Sequence, residues 1–179
     1  MMKNFNDRQP ARMYAFTGVH GSGKTSKTYE FAGLMKRQHP DKEVGIVAEV
    51  ARKCPYKNQL VGKGRDKATE DAQMWIFGAQ IKAEHDALSE YDIVVCDRTI
   101  CDCIAYTMIS GHDALARGFM SVAAHHVKIY DKIYMLFRDP DWPAADDSFR
   151  NTNEEVRAAF QDTLIDIYHR MGVGLVSYQ

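Results

Sequence analysis

Short apolar runs alternate with longer stretches of mixed character along the whole chain. Met13 to Phe16 is apolar and runs into Gly18, which predicts a buried strand. Lys24 to Gln38 predicts a helix, ended by His39-Pro40. Val44 to Ala48 is a second short strand behind the charged residues 41–43. Residues 51–68 hold Pro55, Gly62 and Gly64 and read as irregular. Thr69 to Ser89 is helical: Thr69 suits the cap, Glu70 and Asp71 the first turn, and Ala72, Trp75, Ile76 and Ala79 recur at helical spacing. Ile93 to Cys96, ending in Asp97, is the strongest strand signal. Helices follow over 100–110 and 113–128, around Gly111, and then a strand from Lys132 to Phe137. Residues 138–152 are polar and contain prolines, so they read as a loop. A helix from Asn153 to Met171, capped by Asn153 or Thr152, leads to a last strand over Val173 to Tyr178. Short apolar strands alternating with helices predict an α/β domain with a parallel sheet covered on both faces. Such sheets bind ligands at the carboxyl ends of their strands.

The turn between the first strand and the first helix carries chemistry. Gly18-Val-His-Gly-Ser-Gly-Lys-Thr25 fits G-x-x-x-x-G-K-T. Its glycines let successive backbone N–H groups curl around phosphate oxygens, and the helix that follows adds its positive end. Gly18, His20, Gly21, Ser22, Gly23, Lys24, Thr25 and Ser26 form the expected nucleotide-binding set. Lys24 reaches the β- and γ-phosphates, and Thr25 offers a hydroxyl to Mg²⁺. Asp97 closes the Ile93 to Cys96 run as a second metal partner. ATP and Mg²⁺ are the implied cofactors, and the fold is a P-loop NTPase with five parallel strands in the order 2-3-1-4-5.

Composition narrows the reading. The chain has 179 residues, 45% hydrophobic and 26% charged, which is enough for one P-loop domain spanning 1–179. Residues 1–11 are expected to be flexible. No apolar run approaches the ~20 residues of a membrane span, so no membrane partner is expected. The start lacks the apolar stretch of a signal peptide. Cys54, Cys96, Cys101 and Cys103 form no disulfide or zinc framework, and a reducing cytoplasm is the expected setting. Cys101-Asp-Cys103 with His125-His126 is no metal site either, because C-x-C in a helix points its thiols about 200° apart. The net charge of −1 excludes a generally basic protein, but it hides a split. Residues 1–69 carry 14 Lys+Arg against 6 Asp+Glu, and residues 70–179 carry 9 against 18.

Asp97-Arg98-Thr99 behind a hydrophobic strand resembles the D/E-R-S/T motif of deoxynucleoside and thymidylate kinases. Glu49, in Val47-Ala-Glu-Val-Ala-Arg52, resembles the E-x-A-R segment of the nicotinamide riboside kinase domain and its relatives. Asp139-Pro-Asp-Trp-Pro-Ala-Ala-Asp-Asp-Ser-Phe-Arg150 resembles that group's lid, with Trp142, Ala144 and Ser148 departing from its pattern. The stretch Gln73 to Glu84, with Gln80, resembles the helix these kinases set beside the acceptor. The resemblance implies a kinase acting on an alcohol group, with residues 51–68 as the acceptor-side loop and 138–152 as the lid. It implies Glu49 as general base, Asp97 as the Mg²⁺-side acid, Arg98 and Arg52 on acceptor or phosphoryl oxygens, and Arg150 with Arg138 closing on the transferring phosphate.

The acceptor stays open among several. Arg52, Lys53, Lys57, Lys63, Arg65 and Lys67 face only Asp66 within residues 52–67, and Tyr56 adds a ring that could stack on a base. Arg52, Tyr56, Lys57 and Gln80 are the expected acceptor-binding residues. A free nucleoside or nucleotide fits the family resemblance. A hydroxymethylated pyrimidine in DNA, as acted on by compact kinases of phage base-modification pathways, fits the basic segment. Nicotinamide riboside fits the lid. A regulatory NTPase without a small-molecule acceptor is the rival class. Trp75, Ile76 and Phe77 read as core.

Overall fold

A computed structural model describes residues 10–60, 67–137 and 154–178. The expected loop segment 61–66, the lid from 138 to 152 with Arg138 and Arg150, and the proposed caps Thr152 and Asn153 lie outside those residues. Five strands form the sheet: β1 (Arg12–Gly18), β2 (Val44–Val47), β3 (Ile93–Asp97), β4 (Lys132–Leu136) and β5 (Leu175–Ser177). Their order is β2-β3-β1-β4-β5, and every pair is parallel. The helices are α1 (Lys24–Gln38), α2 (Glu70–Glu90), α3 (Ile100–Ile109), α4 (Asp113–His126) and α5 (Glu154–Arg170). Fold class and strand order are those predicted from the sequence. Boundaries move by a few residues at most, because strand ends outside the ladder lose their pairing. Val173, for example, is drawn into the turn after α5, where its N–H donates to Tyr168 O at 3.0 Å.

Alternation along the strands divides the core in two. Met13, Ala15, Val94, Cys96, Ile133 and Met135 face a large cluster that α2, α3, α4 and α5 complete. Phe16, Val95 and Leu136 face α1, where Phe31 and Ala32 meet them. On this second side Tyr14, Phe16, Phe31, Tyr134 and Tyr178 pack edge-on or stacked, with centroids 5.1–6.5 Å apart. All five residues of β3 are buried, whereas β5 is an exposed edge. Central β1 and β3 therefore hold their carboxyl ends in the best-fixed part of the molecule. Asp97 stands beside Phe16 in the β1–β3 register.

Local caps set the two helices that carry the site. Thr69 caps α2 by accepting from Ala72 N at 3.3 Å. Thr99 and Asp102 form a capping box at the start of α3. By contrast α1 starts at Gly23 with no side-chain cap, which leaves its first N–H groups for another acceptor.

Candidate functional site

The loop from Gly18 to Thr25 joins the end of β1 to α1. Gly18 has φ 135°, and a Cβ there would lie 2.2 Å from Leu136 O. No other residue fits, because β4 runs against the loop at that point. Lys24 is buried and turned back into the loop. Its Nζ donates to Val19 O at 2.5 Å and lies 3.4 Å from Ser22 Oγ. Burial, then repulsion from Arg98, lowers its pKa to about 7. The loop thus closes on its own cation, which is placed to meet an anion instead. His20, Gly21, Ser22 and Gly23 lie along the same loop, while Thr25 and Ser26 stand exposed on the first turn of α1. Thr25 Oγ1 donates to Asp97 Oδ2 at 2.6 Å. Burial raises the Asp97 pKa, and Arg98 and the Thr25 hydrogen bond offset part of that rise. A hydroxyl and one carboxylate beside an anion-binding loop suit Mg²⁺, which takes few protein ligands and completes its shell with water and phosphate oxygens.

Arg98 sits behind Asp97 at φ 89°, a left-handed conformation that a bulky side chain rarely adopts. Its backbone N–H donates to Phe16 O at 2.9 Å, which holds the turn. The turn aims the guanidinium inward. Nε donates to Glu49 Oε1 at 2.8 Å, NH1 to Asp102 Oδ1 at 3.2 Å, and NH2 meets His20 Nδ1 at 3.2 Å. Because arginine only donates, His20 Nδ1 is the unprotonated nitrogen, and Nε2–H donates to the Tyr106 hydroxyl at 2.5 Å. Glu49 also accepts from Arg52 Nε at 2.8 Å. Burial works to raise the Glu49 carboxyl, but Arg98 by charge and hydrogen bond, with Arg52, holds it well below the carboxylate range. Asp102 Oδ2 takes Thr17 Oγ1 at 2.8 Å and the Thr99 N–H at 2.9 Å, so β1, β3 and α3 are tied at one carboxylate. The Tyr168 hydroxyl of α5 meets Thr99 Oγ1 at 2.6 Å.

A cavity opens from this cluster, with about 780 Å³ of space including its mouth. Glu49, Arg52, Arg98 and Asp102 give it two negative and two positive groups. Val50, Ala51, Leu60, Ala68, Ile76 and Cys103 line its apolar wall, and Gln73, Gln80 and Tyr106 add neutral polar groups. Gln73 and Gln80 are each 2% exposed and lie seven apart on one face of α2.

Of the sequence-predicted residues, the structure brings Lys24, Thr25, Asp97, Arg98, Glu49, Arg52, Gln80 and the loop glycines around one centre. His20 belongs to the loop but turns its ring to Arg98 and Tyr106, on the cavity side. Tyr56 and Lys57, expected at the acceptor, are exposed and are not among the described residues that line this cavity. Two 3₁₀ turns, Val50–Lys53 and Lys57–Gln59, fold this segment with Val50, Cys54 and Leu60 inward and its polar residues out. Trp75 is half-buried against the core, Phe77 is in it, and Ile76 faces the cavity. Cys101 and Cys103 are buried thiols, and burial pushes both up. Sequence reasoning missed Thr17, Gln73, Tyr106 and Tyr168. For Gln73 a signal existed, the i, i+7 spacing to Gln80. Tyr106 likewise follows Asp102 by four on α3.

Comparison with known proteins places this geometry. The family model described as AAA domain matches residues 13–179, and the chain belongs to that family. No curated protein matches the sequence. Among solved structures, deoxyadenosine kinase from M. mycoides, with products dCMP and a flexible dCDP bound, is similar with a TM-score of 0.63 and 14% identity, covering 93% of this chain and 88% of that one. Thymidylate kinase from Ehrlichia chaffeensis is similar with a TM-score of 0.59 and 15% identity, over 96% and 89%. NadR protein in complex with NAD and AMP-PNP has a TM-score of 0.65 and 16% identity, over 95% of this chain and 45% of that one. The shared feature is the P-loop kinase fold, with strand order 2-3-1-4-5. Among the described residues, no helix is long and apolar enough to cross a membrane.

Proposed function

We propose that this member of the AAA domain family is an ATP-dependent kinase that moves the γ-phosphoryl group to a hydroxyl of a neutral nucleoside-type acceptor. The single observation that carries this reading is the meeting of a phosphate loop and a largely apolar cavity at the Glu49–Arg98 pair. The fold shared with a deoxyadenosine and a thymidylate kinase supports it. The charge balance supports the neutral acceptor: each cavity arginine already faces a carboxylate, Arg52 on Glu49 and Arg98 on Glu49 and Asp102. A phosphate or nucleic-acid backbone would need cations left over, and among the described residues the two arginines that line the cavity are both paired with carboxylates.

In this reading Lys24 and the loop N–H groups bind the polyphosphate. Thr25 and Asp97 would hold Mg²⁺, which when bound neutralises charge on the β- and γ-phosphate oxygens. Glu49 orients the acceptor hydroxyl and accepts its proton as the oxygen–phosphorus bond forms and the bond to ADP breaks. Arg98, fixed by Asp102, steadies Glu49 and faces the developing charge. The lid residues 138–152, Arg150 among them, are assigned to closure over the transferring group.

The test supplies labelled ATP with single nucleosides, nucleotides, nicotinamide riboside and hydroxymethylated DNA, and follows the label. Label on a free nucleoside, with ADP release that depends on it, is the expected result. ADP release that ignores every acceptor would replace the reading with a regulatory NTPase. Glu49→Gln is expected to lower transfer about 10²-fold or more while ATP affinity holds.

A further inference from the structure

Among the described residues, Gln80 is the cavity amide with a hydrogen-bonded partner behind the cavity wall. Its Nε2 donates to Glu84 Oε1 at 2.8 Å, one helical turn further along α2. Glu84 is fully buried and does not itself line the cavity. Tyr130, just before β4, brings its hydroxyl to the same Oε1 at 2.7 Å, and His126 at the end of α4 brings Nε2 to Oε2 at 2.5 Å. The Tyr130 oxygen in turn accepts the Ile100 N–H at 3.1 Å.

The directions of these bonds follow from the partners. Ile100 N–H can only donate, so it occupies a lone pair of Tyr130. The Tyr130 proton then has Glu84 Oε1 as its acceptor. Oε1 is therefore an acceptor whichever of Glu84 and His126 holds the proton they share at Oε2. Gln80 must meet it with Nε2. Turning the amide over would set two oxygens against each other in a buried site, with no proton between them. The carbonyl oxygen of Gln80 is what remains for the cavity. Gln73, also buried and lining the cavity, has no such anchor: no hydrogen bond of its side chain is found among the described residues.

Resting on the reading that the cavity holds the acceptor, we infer that Glu84 is a positioning residue: through Tyr130 and His126 it locks the Gln80 amide with its carbonyl toward the acceptor. The site thereby selects acceptors that present an N–H donor at that edge. Gln73, with no such anchor among the described residues, discriminates less.

The test uses the full chain and acceptor pairs that differ by one amino group at that edge, deoxycytidine against its pyrimidin-2-one analogue and deoxyadenosine against purine deoxyriboside, in which hydrogen replaces the amino group and no N–H remains there. The wild type is expected to favour the amino member of a pair by about tenfold or more in kcat/KM. Glu84→Met, which removes the acceptor that fixes the amide, is expected to bring that ratio to within about threefold of unity with the KM for ATP unchanged. Tyr130→Phe, which frees Oε1 from its fixed role, should lower the ratio part of the way and serves if Glu84→Met fails to fold. In glutamine-labelled protein, the Gln80 side-chain amide proton is expected to lie downfield and exchange slowly, and to lose both features in Glu84→Met. A resonance that does not move, or a preference equal in wild type and variants, overturns the inference and leaves the kinase reading standing. A wild type that binds ATP but accepts no nucleoside overturns the nucleoside reading, and the specificity role falls with it.

Discussion

The two halves of the site are built in different ways. The nucleotide side is contiguous: eight residues from Gly18 to Thr25 form the loop, and one carboxylate, Asp97 of the neighbouring strand, stands beside it. The cavity side is assembled from the end of β2, the 3₁₀ turns after it, one face of α2 and the start of α3. The first kind of site works through backbone N–H groups, which need only the right turn. The second works through side chains that must be aimed, and each aimed group here leans on another: Arg98 on Asp102, Glu49 on Arg98, Gln80 on Glu84. The loop should therefore fail at single residues without loss of fold, and the cavity should fail through its supports.

The largest expected effect belongs to Lys24→Ala. Transfer should fall ~10³-fold or more, while the melting temperature does not drop, since a desolvated cation is removed. Full activity in this variant would break the assignment of the loop. Arg98→Ala should act on both halves and on stability. It leaves Glu49 and the buried Asp102 without their cation, for a loss of about 3–5 kcal/mol in urea denaturation. Arg98→Lys should recover little of this, because a single ammonium cannot span three partners. A loss below about 1 kcal/mol would mean that the cluster is not a unit.

Protonation gives a finer contrast. Lys24 keeps its proton to about 10.5 when unfolded but only to about 7 when folded. The unfolded chain binds more protons between those values, so the stability of the unliganded protein rises with pH across that window. A polyphosphate favours the ammonium and restores it. Nucleotide binding at pH 8.5 should then take up close to one proton, and affinity should weaken by up to about tenfold per pH unit above 7. Calorimetry in two buffers of different ionisation heat measures this directly, and zero uptake would show Lys24 charged before binding. The smallest effect is expected at Tyr56→Ala and Lys57→Ala, within about twofold on any acceptor, since exposed groups away from a site seldom exceed ~0.5 kcal/mol.

The legibility of the molecule follows the same division. The G-x-x-x-x-G-K-T spacing identifies a nucleotide loop because the chemistry resides in neighbouring residues, the parallel sheet follows from short apolar runs alternating with helices, and the strand order came with the resemblance to P-loop kinases. Glu49 and Asp97 were visible because each ends an apolar strand. Composition counts charges and rings without regard to direction, so it does not tell where Tyr56 and Lys57 point. In the fold, the 3₁₀ turns point them to solvent while Val50 and Leu60 turn in. Thr17, Tyr106 and Tyr168 were not legible as site residues. Each reads as ordinary core, and only a partner distant in sequence, Asp102, His20 or Thr99, gives it a polar task.

The sequence alone determined the parallel sheet and the phosphate loop, because period, turn chemistry and local spacing are properties of neighbouring residues, while the strand order came with the family resemblance those residues carry. Only the tertiary structure decided that the cavity is balanced in charge, that Arg98 adopts a left-handed turn to reach three partners, and that Gln80 answers to a buried glutamate. Those features depend on which side chains meet across 40 to 90 residues of chain, and on burial that removes water as the alternative partner.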